Sequence, residues 1–146
     1  MLLKEHQTFL RSVQVPLRLS IAKADEPMLV PLWFIYQDNF LWCACHRNSY
    51  LVQRIRAQSG ASKDGIPCAF DVSTNEPPYR GVAGKGRVKL VSNHGAEKLQ
   101  QLTERYLRDV TSEFGRWLLA RAEEEEALCI APTRVRAWDY TDRMSR

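Results

Sequence analysis

The sequence lacks most features of membrane, exported or metal-binding proteins. Its longest uninterrupted apolar run covers residues 28–36, nine residues that include a proline, whereas a membrane-spanning helix needs about 20. The first residues carry no apolar segment typical of a signal peptide. The four cysteines lack the CxxC spacing of zinc sites and redox pairs. We therefore predict a cytoplasmic protein with reduced, buried thiols, no metal site and no membrane partner.

Two further absences narrow the chemistry. The glycine-containing stretch 81–87 lacks the spacing, and the Ser or Thr, of a phosphate-binding P-loop. The consecutive glutamates 123–126 are predicted to form the solvated end of a helix, where adjacent carboxylates point apart and cannot act as an acid–base pair. We therefore predict no catalytic residue. The formal net charge of +4 favours anionic ligands without choosing among phosphates, nucleotides and nucleic acids.

The composition that is present is typical of one folded domain spanning residues 1–146. Of the 146 residues, 45% are hydrophobic and 26% charged, values expected of a protein with its own core. Apolar runs and alternation predict strands, and helical spacing predicts helices. The predicted strands are 17–21, 28–36, 40–46, 66–72, 82–91 and 127–138. The predicted helices are 4–13, 49–58, 96–107 and 112–126.

The order of these segments predicts an antiparallel barrel of about six or seven strands in which the first three strands form a meander. The run 28–36 is apolar on both faces, so a barrel interior should cover one face, and a second subunit or a flat ligand the other. Pro31 has no N–H for the ladder and predicts an edge or a bulge. Gly84 and Gly86 predict bulging, and Pro132 predicts an interruption of the last strand.

The passage from the third predicted strand into a helix is the first candidate ligand site. A helix start offers free N–H groups and a positive dipole end, to which Arg47 and the Ser49 hydroxyl could add donors for a phosphate. The alternative is an ordinary capped helix with a solvated arginine. Arg80 is a second candidate, because the rigid pair Pro77 and Pro78 precedes it and positions its side chain. Five aromatic residues lie between residues 33 and 42, which fits either a core of large rings or a wall for a flat heterocycle.

Several motifs in a fixed order give the chain a resemblance to a known superfamily. The motifs are VPLWF at 30–34, LWCACHRNS at 41–49, PPYRGV at 77–82, RYL at 105–107 and WDY at 138–140. Over about residues 17–143 the chain resembles the pyridoxamine 5′-phosphate oxidase-like superfamily, the FMN-binding split β-barrel proteins. The resemblance implies a mainly β fold with flanking helices, a split antiparallel β-barrel of FMN-binding type. It also implies a homodimer with two flavin sites at its interface.

The resemblance also implies which residues contact the flavin. The residues expected to line the ring are Leu32, Trp33 and Phe34, and those beside the ribityl chain are Cys43, Ala44 and Cys45. The residues expected near the phosphate are Arg47, Ser49 and Tyr50, and Arg80 aligns with an arginine near the flavin. Relatives often carry Ser-Arg-Lys where this chain has Ser49, Tyr50 and Leu51. Arg47, or another basic residue such as Arg54, must therefore replace the lysine.

The resemblance implies FMN binding and, as the leading hypothesis, a flavin-dependent oxidoreductase that acts on an unidentified small molecule. The cofactor would supply the hydride chemistry, which fits the absence of a catalytic constellation. The C-terminus lacks the substrate pattern of true pyridoxamine phosphate oxidases, so we do not expect that activity. Two alternatives stay open: a reductase of the same fold that uses a deazaflavin coenzyme, and a non-catalytic module that binds flavin or nucleic acid. Of the two ligands of such a module, nucleic acid is the less expected.

Overall fold

The computed structural model describes residues 2–23, 25–60 and 62–145, with Lys23 described by its backbone alone. Its seven strands form one sheet in which every pairing is antiparallel. The strands are β1 (Leu17–Lys23), β2 (Glu26–Leu32), β3 (Ile35–Gln37), β4 (Phe40–His46), β5 (Ile66–Ser73), β6 (Arg80–Val91) and β7 (Glu125–Asp139). The helices are α1 (Lys4–Ser12), α2 (Tyr50–Ser59), α3 (Gly95–Tyr106), α4 (Glu113–Leu119) and α5 (Thr141–Met144), with a 3₁₀ turn at Ala122–Glu124.

The strand order β2-β1-β5-β6-β7-β4-β3 confirms the predicted split barrel with flanking helices. Its two edge strands, β2 and β3, follow each other in the chain and are separated only by Trp33 and Phe34. Because two residues bridge the opposite edges, the sheet must curl until those edges meet. The two hairpins of the predicted meander form, β1 with β2 and β3 with β4, but the continuous meander is wrong because these hairpins lie at opposite edges of the sheet.

The predicted continuous strand 28–36 is also wrong, because the chain leaves the sheet between β2 and β3. At this point the Trp33 ring stacks on Tyr106 of α3, with centroids 5.0 Å apart and planes 2° from parallel. The backbone N–H of Phe34 donates to the Tyr106 hydroxyl at 3.3 Å. These contacts with α3 replace ladder hydrogen bonds, so an apolar run that looks like one strand passes from one sheet edge to the other. Pro31 lies in an edge strand, as predicted.

The predicted helix 112–126 ends early, and the four glutamates are not its solvated end. Helix α4 stops at Leu119, and β7 begins at Glu125. Glu125 is half-buried and lies opposite His46 in the ladder with β4. Tertiary pairing with β4 therefore outweighs the helix propensity of glutamate. Pro132 does not interrupt β7, but the register shifts beside it between Lys85 and Gly86, as the glycines of this strand predict.

The barrel interior is apolar, and an arginine ties the first helix to it. The largest fully buried side chains are Phe34, Leu10, Leu17, Leu19, Ile21, Leu41, Ile55, Leu102, Leu128 and Ile130. From the end of α3, the Arg105 guanidinium donates to the carbonyls of Leu10 at 3.0 Å and Arg11 at 2.7 Å, and also to that of Val13. Because the last carbonyls of a helix lack partners within it, one side chain satisfies the end of α1. This contact gives the arginine of the RYL motif a structural role.

Candidate functional site

The turn between β4 and α2 is built by hydrogen bonds that hold the helix start in place. The Asn48 N–H donates to Nδ1 of His46 at 3.0 Å, and the Ser49 N–H donates to the His46 carbonyl at 2.9 Å. The Arg47 N–H donates to the Glu124 carbonyl at 2.8 Å. Ser49 then caps α2, since its hydroxyl oxygen accepts from the Val52 N–H at 3.1 Å. The serine predicted as a phosphate contact is thus also the N-cap.

The electrostatics of this helix start suit an anion. The N–H groups of Tyr50 and Leu51 have no partner within the helix by geometry, and the dipole places partial positive charge there. The first turn of α2 contains no acidic residue. The Arg47 side chain is exposed and, within the described part of the chain, forms no ion pair. A phosphate would therefore meet a free guanidinium and a helix N-terminus together.

Arg54, the suggested replacement for the lysine of relatives, is engaged elsewhere. Its side chain is buried, and its guanidinium donates to the Glu26 carbonyl at 2.6 Å. It also lies over the ring of Tyr50, 5.8 Å from the ring centroid. Arg54 thus links α2 to β2 and supports Tyr50, which is itself exposed. Arg47 is the predicted cation that remains free at the turn.

A histidine–glutamate pair fastens the turn to the 3₁₀ segment that precedes β7. His46 Nε2 lies 2.9 Å from the Glu124 carboxylate, while its Nδ1 accepts from the Asn48 N–H. The hydrogen bond from His46 lowers the pKa of Glu124. The bonds at both ring nitrogens fix the orientation of the imidazole, so His46 positions the turn rather than facing a ligand.

The residues predicted beside the ribityl chain lie along β4, with their side chains on different sides. Cys43 is fully buried in the core, and Ala44 and Cys45 are half-buried. The Cys45 thiol donates to the Ser49 hydroxyl at 3.2 Å. Burial raises the pKa of both thiols, so they stay protonated at neutral pH. At Cys43 only the backbone can contact a ligand.

The residues predicted to line the ring also divide between surface and core. Leu32 and Trp33 are half-buried, whereas Phe34 is fully buried beneath the Arg105 guanidinium, which lies 5.1 Å from its ring centroid. The partner of Trp33 in its stack is Tyr106, a residue that sequence reasoning did not assign to the site. Its position in the RYL motif was the available signal. Burial raises the pKa of Tyr106, whose hydroxyl donates to the Val15 carbonyl at 3.0 Å.

Within one chain, Arg80 does not lie beside the other residues predicted to contact the flavin. It begins β6 opposite Asp139, the last residue of the 15-residue strand β7, whereas His46 lies opposite Glu125 at the first. Its side chain forms an ion pair with Asp139 at 3.2 Å and lies 5.1 Å from the centroid of the Phe9 ring. A cavity of about 260 Å³ adjoins it, lined by α1 and the ends of β6 and β7. Arg80 therefore marks a separate region of the surface.

Two kinds of feature are absent from the described residues. None of the helices that can be described there has the length and apolarity needed to cross a membrane. Across residues 2–23, 25–60 and 62–145, no three His, Cys, Asp or Glu side chains are grouped as a metal site would require.

Comparison with known proteins identifies the fold. No protein-family model and no curated sequence matches the chain. Among solved structures, a conserved hypothetical protein from Mycobacterium tuberculosis superposes with a TM-score of 0.75 at 19% identity, over 99% of this chain and 88% of that one. An F₄₂₀ reductase gives a TM-score of 0.66 at 16% identity, covering 92% and 98% of the two chains. A FAD-binding protein from Mesorhizobium loti gives 0.60 at 20% identity, covering 93% and 92%.

The matches also include proteins from Corynebacterium glutamicum and Listeria innocua that are proposed to be pyridoxamine 5′-phosphate oxidases. At such identities the likeness concerns the fold, and it agrees with the strand order and flanking helices described above. The resemblance predicted from the motifs is therefore confirmed at the level of architecture. The chain has the fold of the flavin-binding split β-barrel proteins related to pyridoxamine 5′-phosphate oxidase.

Proposed function

We propose that the chain is a single flavin-binding domain that holds the phosphate of FMN, or of an FMN moiety, at the start of α2. The observation that carries this proposal is the free Arg47 guanidinium beside the capped, acid-free first turn of the helix. The fold, shared with a FAD-binding protein and an F₄₂₀ reductase, supports it. An ordinary capped helix explains Ser49 but leaves the free arginine at this turn without a role.

The spacing along β4 suits a flavin. Trp42 lies opposite Ile35 in the ladder, and Ile35 is two residues after Trp33. His46 is the last residue of β4 and lies next to the turn proposed to hold the phosphate. Four strand residues span about 13 Å, a length that a flavin ring with its extended ribityl phosphate can follow. The ring would then lie toward Leu32 and Trp33, with the ribityl chain along the backbone of Cys43, Ala44 and Cys45. The donor set and the length of the strand both fit the cofactor.

A bound flavin supplies hydride transfer to or from a small-molecule substrate, and we propose a flavin-dependent oxidoreductase on this basis. The residues of the chain bind and orient. Arg47 and the helix start neutralise the phosphate, and the Ser49 hydroxyl, held by Cys45, keeps the turn rigid. The stacked Trp33 and Tyr106 form an apolar surface that would exclude water from one side of the ring. No proton-transferring residue is assigned.

Two other functions compete with this one on specific grounds. The F₄₂₀ reductase covers 92% of this chain, so a deazaflavin coenzyme is the second candidate cofactor. A flavin carrier without catalysis is the third, because the site offers binding groups alone. Activity with a reduced donor and an artificial acceptor separates an oxidoreductase from a carrier, and the absorption maximum of the bound cofactor separates flavin from deazaflavin.

We also propose that the protein is a homodimer and that the second copy completes the site. Arg80 is the residue that motivates this proposal, because it lies at the far end of β7 from Arg47 in one chain. A partner related by two-fold symmetry can present Arg80 to the flavin of the first copy. The outer surface of β2 is also apolar and open, with Leu29 69% exposed.

The direct test is titration of the purified, flavin-free protein with FMN and with riboflavin, followed by quenching of flavin fluorescence. We expect FMN to bind more tightly than riboflavin, since only FMN carries the phosphate. Equal affinities for FMN and riboflavin would mean that the protein does not contact the phosphate. Absence of binding by both would exclude the flavin proposal.

A further inference from the structure

The cavity of about 260 Å³ beside Arg80 has the lining of a site for a small ligand. The side chains of Phe9 and Trp138 give it two aromatic walls. A Cβ atom on Gly81 would lie 2.3 Å from the Trp138 ring, so only glycine at this position lets the indole pack against β6. Ligand pockets usually measure about 300–1,000 Å³. A cavity just below that range suits a molecule of about one ring.

Arg80 is fixed in this cavity by contacts that leave one edge of its guanidinium free. Its Nε lies 3.2 Å from Oδ2 of Asp139, and its guanidinium lies 5.1 Å from the centroid of the Phe9 ring. Asp139 is fixed in turn, because its Oδ1 accepts from the Thr141 N–H at 2.9 Å and from the Thr141 hydroxyl. Across residues 2–23, 25–60 and 62–145, neither Nη atom of Arg80 donates a hydrogen bond. Two N–H donors are therefore oriented and open to a ligand.

The charges around the cavity do not oppose an anion at this edge. Asp139 is the carboxylate that contacts Arg80, and its oxygens are occupied by Arg80 and Thr141. The other carboxylate of the lining, that of Glu5, is 77% exposed and lies 3.6 Å from Nε2 of His6. Water therefore screens the charge of Glu5.

We infer that this cavity binds a small planar carboxylate, with its carboxylate on the free edge of the Arg80 guanidinium and its ring against Phe9 and Trp138. A guanidinium edge offers two parallel N–H donors that match the two oxygens of a carboxylate. Aromatic walls add contact area and stacking for a flat ring. In the proposed homodimer Arg80 faces the flavin of the second copy, so the same class of molecule would be the substrate of the oxidoreductase. That role, unlike the binding, rests on the proposed function.

The test is calorimetric titration of the flavin-free protein with benzoate and with benzamide, which share size and ring and differ in charge. We expect benzoate to bind about 10- to 150-fold more tightly than benzamide. Arg80→Gln should abolish this preference by weakening benzoate alone, and Arg80→Lys, which keeps the charge without the fork, should retain part of it. The matched control is Arg136→Gln, which removes a guanidinium 5.6 Å from the centroid of the Trp138 ring but outside the cavity lining. We expect this control to keep the preference for benzoate.

A second variant tests the aromatic wall separately from the charge. Gly81→Ala displaces the Trp138 indole, because the added Cβ cannot lie 2.3 Å from the ring. We expect it to weaken benzoate and benzamide by the same factor, so that the ratio of the two affinities stays as in the wild type. Weakening of benzoate alone would contradict the placement of the ring against Trp138.

The outcomes separate this inference from the proposed function. Equal wild-type affinities for benzoate and benzamide, or an unchanged benzoate affinity in Arg80→Gln, would overturn the carboxylate site whether or not FMN binds. On protein loaded with FMN, we expect benzoate to shift the visible absorption of the flavin in the wild type and not in Arg80→Gln. Benzoate binding without such a shift would exclude the substrate role alone. Failure of FMN to bind would exclude the flavin site and that role, while the carboxylate site would stand on the titration.

Discussion

Arg47 can be tested separately from the flavin ring because riboflavin lacks the phosphate. Loss of one charge-assisted partner typically costs about 1.5–3 kcal/mol. We therefore expect Arg47→Ala to weaken FMN binding roughly 10- to 150-fold and to leave riboflavin binding nearly unchanged, as measured by fluorescence titration.

The control for this variant lies on the same helix. Arg56→Ala removes a cation from the far end of α2, where it pairs with Glu126 at 3.1 Å, and should leave the affinity for FMN as it is. Equal weakening of FMN and riboflavin by Arg47→Ala would mean that the pocket itself is damaged. An unchanged affinity for FMN would remove Arg47 from the phosphate site.

Glu125 gives the stability of the protein a definite pH dependence. It is half-buried, its Oε2 atom has no hydrogen-bond partner among the described residues, and burial raises its pKa above the ordinary value of 4.5. Below that value the side chain is protonated in both the folded and the unfolded state. As pH rises toward the higher pKa of the folded state, the unfolded chain releases its proton first, so stability falls.

We therefore expect Glu125→Gln, which keeps a neutral side chain, to raise the melting temperature at pH 7 and to change little at pH 4. Thermal unfolding at both pH values measures this. The neighbouring Glu124 provides a contrast, because its pKa is lowered by His46 and Glu124→Gln should destabilise at pH 7. A gain for Glu125→Gln that is as large at pH 4 as at pH 7 would contradict the assignment of charge burial.

Individual elements differ in how well the sequence predicts them. Residues 40–46 were predicted as a strand, and β4 has those bounds, because tight turns flank a short apolar run. The single strand predicted over 28–36 is wrong because apolar periodicity shows which faces of a segment are buried but not which strand it pairs with. The predicted continuation of the helix over residues 120–126 is wrong. Glutamates favour a helix locally, but pairing with β4 adds ladder hydrogen bonds that no local pattern contains.

The crossing from β2 to β3 depends on one hydroxyl group of α3. The Tyr106 hydroxyl accepts from the Phe34 N–H at 3.3 Å and donates to the Val15 carbonyl at 3.0 Å. Tyr106→Phe keeps the stack on Trp33 and removes both hydrogen bonds. We expect a loss of about 1–3 kcal/mol in the free energy of unfolding, because two partly buried backbone groups lose their partner.

Urea denaturation measures this loss, with Tyr79→Phe as the control because Tyr79 is exposed. Both variants should have the same urea dependence (m-value), since the surface exposed on unfolding is the same. Equal stabilities of the two variants would show that the ring stack alone holds the crossing.

At the scale of the whole molecule, the sequence predicts only the part of the candidate site that lies at the turn between β4 and α2. The turn with Arg47 and Ser49 is local, so strand and helix patterns locate it. Tyr106 reaches the site from α3, and no local sequence pattern shows that α3 packs beside the crossing from β2 to β3. The separation of Arg80 from Arg47 is likewise a property of the register of β7.

The proposed homodimer has a measurable consequence. An interface that covers the open side of β2 and brings Arg80 to a second copy should bury more than about 1,000 Å². We expect light scattering at micromolar concentration to give a mass near 34 kDa, twice the 16.9 kDa of one chain. A mass of 16.9 kDa at that concentration would exclude a stable dimer and leave Arg80 outside the flavin site.

The prolines of β2 have a consequence for the behaviour of the protein in a crowded solution. A strand at the border of a sheet can recruit a foreign strand through its unpaired N–H and C=O groups, which leads to aggregation. Pro27 and Pro31 are four residues apart, so both remove a donor from the same side of β2, while the ladder with β1 continues past them. The opposite border, β3, is only three residues long. Each border thus offers too few donors or too little length for a neighbour to extend the sheet.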